Sequence, residues 1–184
     1  MFTYNLLSIR RRIAERIILN RSDFFLDIGC GRGRILRQLY EKYGNSVSFM
    51  GVDPDSKSIE KAREENFGTK IRFKVAYAED LPCVNNSCDY IATTFTFHHL
   101  EEEGKDKMLR EAYRVLKPGG KFLLADICPP RGFWGKIVAF LSRNHLTSKE
   151  NMEILKDNLL SFGFKPIKNE ILLGFVEVLV AEKI

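Results

Sequence analysis

Phe24-Phe25-Leu26-Asp27-Ile28-Gly29-Cys30-Gly31-Arg32-Gly33 is the stretch from which the fold can be read. An apolar run of strand type carries an acid near its end, and glycines at alternate positions lead into a helical pattern. That is a strand, a tight turn and a helix N-terminus, the arrangement that holds a nucleotide-like ligand above the strand ends of an α/β sheet. The spacing is not that of a pyrophosphate turn. G-x-G-x-x-G needs glycine at position 34, where Arg34 stands, and the turn instead reads G-x-G-x-G. Asp27 would repel a pyrophosphate, so the expected ligand carries a positive group there and no phosphate.

A second strand-like run, Val47 to Asp53, closes on another acid about twenty residues further on, where a carboxylate accepts from ribose hydroxyls. Pro54 then opens a new helix. S-adenosylmethionine satisfies both acids. Its amino group can face Asp27, its carboxylate can meet backbone N–H groups, and Gly29 and Gly31 allow close approach. At these residues the chain resembles the class I S-adenosylmethionine-dependent methyltransferases. Leu26 to Gly33 is similar to their first motif and Gly51-Val52-Asp53-Pro54 to their second. The strand Cys88 to Phe95 and its His98-His99-Leu100 end resemble the ubiquinone and menaquinone methyltransferase type. The string Leu109 to Asp126 is also among the family's recognisable segments.

The resemblance implies a Rossmann-like α/β fold: a mostly parallel seven-stranded sheet with an antiparallel C-terminal strand and helices on both faces. Strand-type runs over 24–28, 47–53, 71–78, 88–95 and 121–126 alternate with helical patterns, which points to right-handed parallel crossovers. Residues 165–173 and 175–182 read as two closing strands around Gly174. The whole chain, 1–184, is expected to be one domain. Residues 1–22 read as an amphipathic capping helix with Leu6, Ile9, Ile13 and Ile17 on one side. Arg10, Arg11, Arg12, Arg16 and Arg21 form either a solvated face or a basic contact for RNA or acidic lipid.

Composition adds bounds. The chain is 45% hydrophobic with a formal charge of +5, which permits an acidic partner without requiring one. No apolar run reaches membrane-spanning length and the N-terminus lacks a signal-peptide profile, although peripheral membrane contact stays open. Cys30, Cys83, Cys88 and Cys128 show neither zinc-ribbon nor C-x-x-C spacing, so no metal site and a reduced, cytoplasmic setting are expected.

On the family pattern the cofactor residues are Asp27, Gly29, Gly31, Asp53 and Pro54, with Ala78, Glu79 and Thr94 behind them. One departure lies on the adenine side. Tyr77 stands where an acid commonly precedes the alanine, leaving Glu79, Asp80 or the Ala78 backbone to replace it. Methyl transfer from a sulfonium needs alignment and exclusion of water more than a strong catalyst. Where the acceptor must lose a proton, His98 or His99 is the candidate base, and Asp126 could orient an acceptor amine or hydroxyl. The alternative is that all three are structural.

The acceptor is read as a small molecule. Thr94-Phe95-Thr96-Phe97 replaces the Asn/Asp-Pro-Pro-aromatic signature of amino-adenine methylation. Cys128 lacks the partner motif of cysteine-dependent RNA methylation. Phe133, Trp134, Ile137, Val138 and Leu141 share a helical face, either packed on the domain or forming part of a lid within 129–147 over a hydrophobic acceptor. Two rivals remain: an RNA methyltransferase using the basic N-terminal face, and a cofactor-binding subunit without catalysis.

Overall fold

The computed structural model describes residues 6–66, 68–128 and 159–184. The apolar stretch of residues 133–141 and the lid expected within 129–147 lie outside them. The capping-box pattern Thr147-x-x-Glu150 reads as opening a helix to Phe162; it too lies outside them, except for residues 159–162, which form the 3-10 segment Leu159–Phe162.

The strands are β1 (Phe24–Ile28), β2 (Ser48–Asp53), β3 (Arg72–Val75), β4 (Cys88–Thr94), β5 (Leu116–Ile127), β6 (Phe164–Leu172) and β7 (Val176–Lys183). They form one seven-stranded sheet in the order β3-β2-β1-β4-β5-β7-β6. β1 to β5 are parallel, and β7 inserts antiparallel between β5 and β6. The order reverses beside β1, which lies between β2 and β4. At such a switch point a crevice opens beyond the strand C-termini.

Alternation along each strand divides the apolar side chains between two layers. Phe25, Phe49, Phe73 and Tyr90 face α1 (Leu6–Glu15), α2 (Arg34–Tyr43) and α3 (Ser56–Glu65), meeting Ile13, Leu36, Leu39 and Ile59. Leu26, Met50, Ile91 and Phe122 face α4 (Glu102–Val115) through Met108, Leu109 and Ala112. Asp55 caps α3, its carboxylate accepting from Lys57 N and Ser58 N and so satisfying two free donors of the helix.

Three boundaries differ from the sequence reading, each for a physical reason. The helix read over 1–22 ends at Glu15. Beyond it Ile17 and Leu19 are buried while Ile18 is 69% exposed, the alternation of an extended chain. Tyr43 fixes that conformation, its hydroxyl donating to Ile17 O (3.0 Å) and accepting from Leu19 N (3.2 Å). The third strand stops at Val75 instead of Ala78: Ala76 N still bonds Asp53 O (3.2 Å), and the chain then turns, Asp80 N donating to Tyr77 O. The fifth strand, expected over 121–126, begins at Leu116, so Lys117-Pro118-Gly119-Gly120 lies within β5. Cys88 pairs with Leu116 and Tyr90 with Lys121, so these four residues bulge out of the ladder, and Gly119 takes the left-handed φ of 73°.

Lys183, at the end of β7, ties the strand beside β5 to α4. Its buried ammonium donates to Tyr113 O (2.7 Å), Leu116 O (2.8 Å) and Asn86 Oδ1 (2.7 Å). A cation there also complements the negative C-terminal end of the helix. Lys183→Met should therefore leave two carbonyls unsatisfied and lower the unfolding free energy by about 2 kcal/mol. A urea titration with an unchanged midpoint would contradict this role.

Candidate functional site

The glycine turn after β1 is held against β2. Gly29 N and Cys30 N both donate to Val52 O (2.8 and 3.0 Å), and Gly33 N closes the turn onto Cys30 O (2.9 Å). Gly29 has φ of 72°, and a Cβ there would lie 2.1 Å from Thr96 Oγ1, so both the conformation and the approach of the β4 end demand glycine. Asp53 joins the two motifs. One carboxylate oxygen accepts from Gly31 N (2.8 Å), the other from Asp55 N (3.0 Å).

These turns border a cavity of about 860 Å³. Asp27, Gly29, Gly31, Asp53, Pro54, Ala78, Glu79 and Thr94, the residues expected around a cofactor, all line it. The segment carrying Ala78 and Glu79 is held by α4: Glu111 accepts from Leu81 N (2.8 Å), and Arg114 donates to Leu81 O (3.1 Å) and Cys83 O (2.9 Å). Tyr77 also lines the cavity and is 65% exposed, so it stands at the rim.

The three residues expected on the acceptor side divide differently. His99 lines the cavity and Asp126 and His98 do not. Asp126 is buried, and its carboxylate accepts from His98 N (2.9 Å), Ile127 N (2.7 Å) and the His98 ring at Nδ1 (2.6 Å).

The electrostatics converge on Asp27. It is only 1% exposed and its Oδ1 has no hydrogen-bond partner. Desolvation pushes its pKa up to about 8, with Arg10 opposing and Asp53 reinforcing the shift. Arg10 is the residue that sequence reasoning missed. Counted among the solvated or phosphate-binding arginines, it instead lines the cavity, stacks over Phe95 at 5.7 Å, and has a buried Nη1 without a hydrogen-bond partner. Burial lowers its pKa, as does the nearby Arg34, while Asp27 raises it. The available signal was its place on the flank of the Ile9–Ile13 stripe. The other arginines are variously engaged. Arg11 pairs with Glu15 (3.5 Å) and Arg16 with Glu170.

A raised carboxyl pKa makes the folded protein hold a proton that the unfolded chain has lost. Asp27 therefore weakens stability progressively as pH rises from its ordinary value of 3.8 to about 8, and by a constant amount above that. Asp27→Asn should raise the melting temperature of the ligand-free protein at alkaline pH, on the order of 2–4 °C for each kcal/mol relieved. The gain should shrink towards pH 4. Equal melting curves for both proteins across that range would contradict an unpaired buried carboxyl.

Comparison with known proteins agrees with this geometry. Residues 25–120 match the family described as methyltransferase domain. The chain is 36% identical over 116 residues to the ubiquinone/menaquinone biosynthesis C-methyltransferase UbiE of Rickettsia typhi, a match covering 59% of this chain and 46% of that protein. It is 30% identical over 125 residues to the demethylmenaquinone methyltransferase of Lactobacillus johnsonii, covering 66% and 50%. The chain thus spans about half the length of these curated relatives. Among solved structures, a SAM-dependent methyltransferase from Aquifex aeolicus superposes with a TM-score of 0.76 at 20% identity, covering 95% of this chain and 89% of that one. The chain belongs to the methyltransferase domain family and has the fold of its S-adenosylmethionine-dependent members.

Proposed function

We propose that this domain binds S-adenosylmethionine and transfers its methyl group to a small, hydrophobic acceptor. The observation that carries the reading is the pair formed by Asp27 Oδ1 and Arg10 Nη1. A carboxylate and a guanidinium, each with a buried atom lacking a hydrogen-bond partner, line one cavity. Together they make a receptor for an α-amino-acid zwitterion, with Asp27 meeting the ammonium and Arg10 the carboxylate. Asp53, its orientation fixed by Gly31 and Asp55, would accept from the ribose hydroxyls. Ala78 and Glu79 would border the adenine, with Tyr77 at the rim in place of the acid usual in the family. Gly29, Gly31, Pro54 and Thr94 would shape the wall and admit close approach.

When bound, S-adenosylmethionine supplies a methyl group on a positively charged sulfur that leaves as a neutral thioether. The protein's contribution is then to align acceptor and cofactor and to keep water out. A hydrophobic acceptor is favoured by the relatives named for quinone methylation. The engagement of Arg10 with the cavity, and of Arg11 and Arg16 with acids, argues against RNA as the principal substrate. No described helix is long and apolar enough to cross a membrane. The free thiols of Cys30, Cys83 and Cys88 suit a reducing, cytoplasmic setting.

Calorimetry tests the cofactor assignment. S-adenosylmethionine and S-adenosylhomocysteine should bind, and NAD should bind far more weakly because Asp27 and Arg34 oppose a pyrophosphate turn. Asp53→Ala should weaken cofactor binding by on the order of 1–3 kcal/mol, the range of charge-assisted hydrogen bonds. Tighter binding of NAD than of S-adenosylhomocysteine would end this reading. A folded Asp53→Ala variant with parental affinity would remove Asp53 from the site.

A further inference from the structure

We propose that His99 takes the acceptor's proton during methyl transfer, and that His98 and Asp126 are the residues that position it. The inference rests on the methyl-transfer reading above and assigns its proton step. His99 is exposed and lines the cavity, so it can reach both an acceptor and water. Its ring lies against that of His98, with centroids 3.9 Å apart and planes inclined at 45°. His98 is in turn clamped by Asp126 at two points, ring Nδ1 and backbone N. The third bond to Asp126, from Ile127 N, anchors the carboxylate itself to the end of β5. Held at both points, the His98 ring has a fixed orientation, and with it the surface on which His99 rests.

Desolvation first, and His98 second, lower the His99 pKa, while Asp126 acts in the opposite sense. The ring is thereby kept unprotonated at neutral pH, with a lone pair free to accept. Glu101, Glu103 and Lys107, from the loop before α4 and its first turns, line the same cavity. Asp126 has no such access, since its carboxylate is buried and engaged by three donors.

The acceptor's electron pair forms the new bond to the methyl carbon as the carbon–sulfur pair returns to sulfur and discharges it. The proton of the attacking hydroxyl, or of the ring carbon conjugated to it, passes to the free nitrogen of His99. From this exposed ring it is released to water.

The test uses S-adenosylhomocysteine for binding and labelled S-adenosylmethionine with naphthohydroquinone for transfer, in the parent and in His99→Gln, His98→Gln and Asp126→Asn. The parent should label the probe. His99→Gln should bind S-adenosylhomocysteine as the parent does and lose at least about 100-fold in kcat. His98→Gln removes an influence that lowers the His99 pKa, so the acid limb of kcat should move to higher pH. Asp126→Asn removes one that raises it, so the limb should move to lower pH. The His99 Cε1–H proton resonance should titrate with the same two displacements, a readout that a purely structural role would not move in opposite directions. Should Asp126→Asn fail to fold, the His98→Gln shift decides.

The assignment is overturned if His99→Gln retains kcat within about threefold. It is also overturned if His98→Gln leaves the acid limb and the His99 titration where they were, or if the two positioning variants shift the limb the same way. A parent protein that binds S-adenosylhomocysteine yet leaves naphthohydroquinone unlabelled overturns it too. Failure of the parent to bind S-adenosylhomocysteine is a different result and would remove the methyl-transfer reading itself.

Discussion

A carboxyl group taken out of water without a hydrogen bond either finds a cation or keeps its proton. Asp27 is in this position at the end of β1, the strand flanked by β2 and β4 at the reversal of strand order. In register it lies between Gly51 and Ala92, small residues on the two neighbouring strands. The apolar layers on both faces of the sheet, and the turn packed against β2, keep it there. Arg10 is the nearby cation, yet it leaves Asp27 Oδ1 without a partner and its own Nη1 likewise. The fold thus maintains two complementary polar atoms that a zwitterionic ligand would satisfy together. Ligand-free stability is lowered at neutral and alkaline pH, a cost expected where function requires a desolvated group.

The parts of this arrangement visible in the sequence are those encoded locally. The glycines of 29–33, the acid at 27 and the acid ending β2 each act through backbone turns or strand ends, which short patterns record. The apolar run Phe24 to Ile28 and the helical spacing of Met108, Leu109 and Ala112 are local patterns of the same kind. What was not legible depends on pairing between distant segments. The place of Arg10 on the flank of the Ile9–Ile13 stripe sets it apart from Arg11 and Arg12, but its entry into the cavity follows from how α1 docks. His98 and Asp126 lie 28 residues apart and meet because β4 and β5 are neighbours in register. The excursion 117–120 within β5 is not legible either, because Gly119-Gly120 signals a turn without saying that the strand resumes on the same ladder. The helix expected to reach residue 22 failed for a related reason. Ile13 and Ile17 fit a helical stripe, but Ile17, Ile18 and Leu19 obey the shorter period imposed by Tyr43.

The same long-range contacts set a division of labour across the site. β1 and β2 supply the turn and the acids at one end of the cavity, α1 covers that end with Arg10, and α4 holds the Ala78–Glu79 wall through Glu111 and Arg114. The ends of β4 and β5 contribute the histidine pair and the carboxylate behind it. On the proposed reading, charge on the cofactor side and proton transfer on the acceptor side would be carried by separate residues.

The central claim is that Asp27 awaits a cationic partner. It is tested most directly by titrating the protein with S-adenosylhomocysteine near pH 7 in two buffers of different ionisation enthalpy. With a carboxyl pKa of about 8 in the ligand-free protein, ligand binding should ionise Asp27. The binding heat should then depend on the buffer in the proportion expected for release of about one proton per ligand. A binding heat independent of the buffer would mean that Asp27 is already ionised or never meets the ammonium, and would contradict the account.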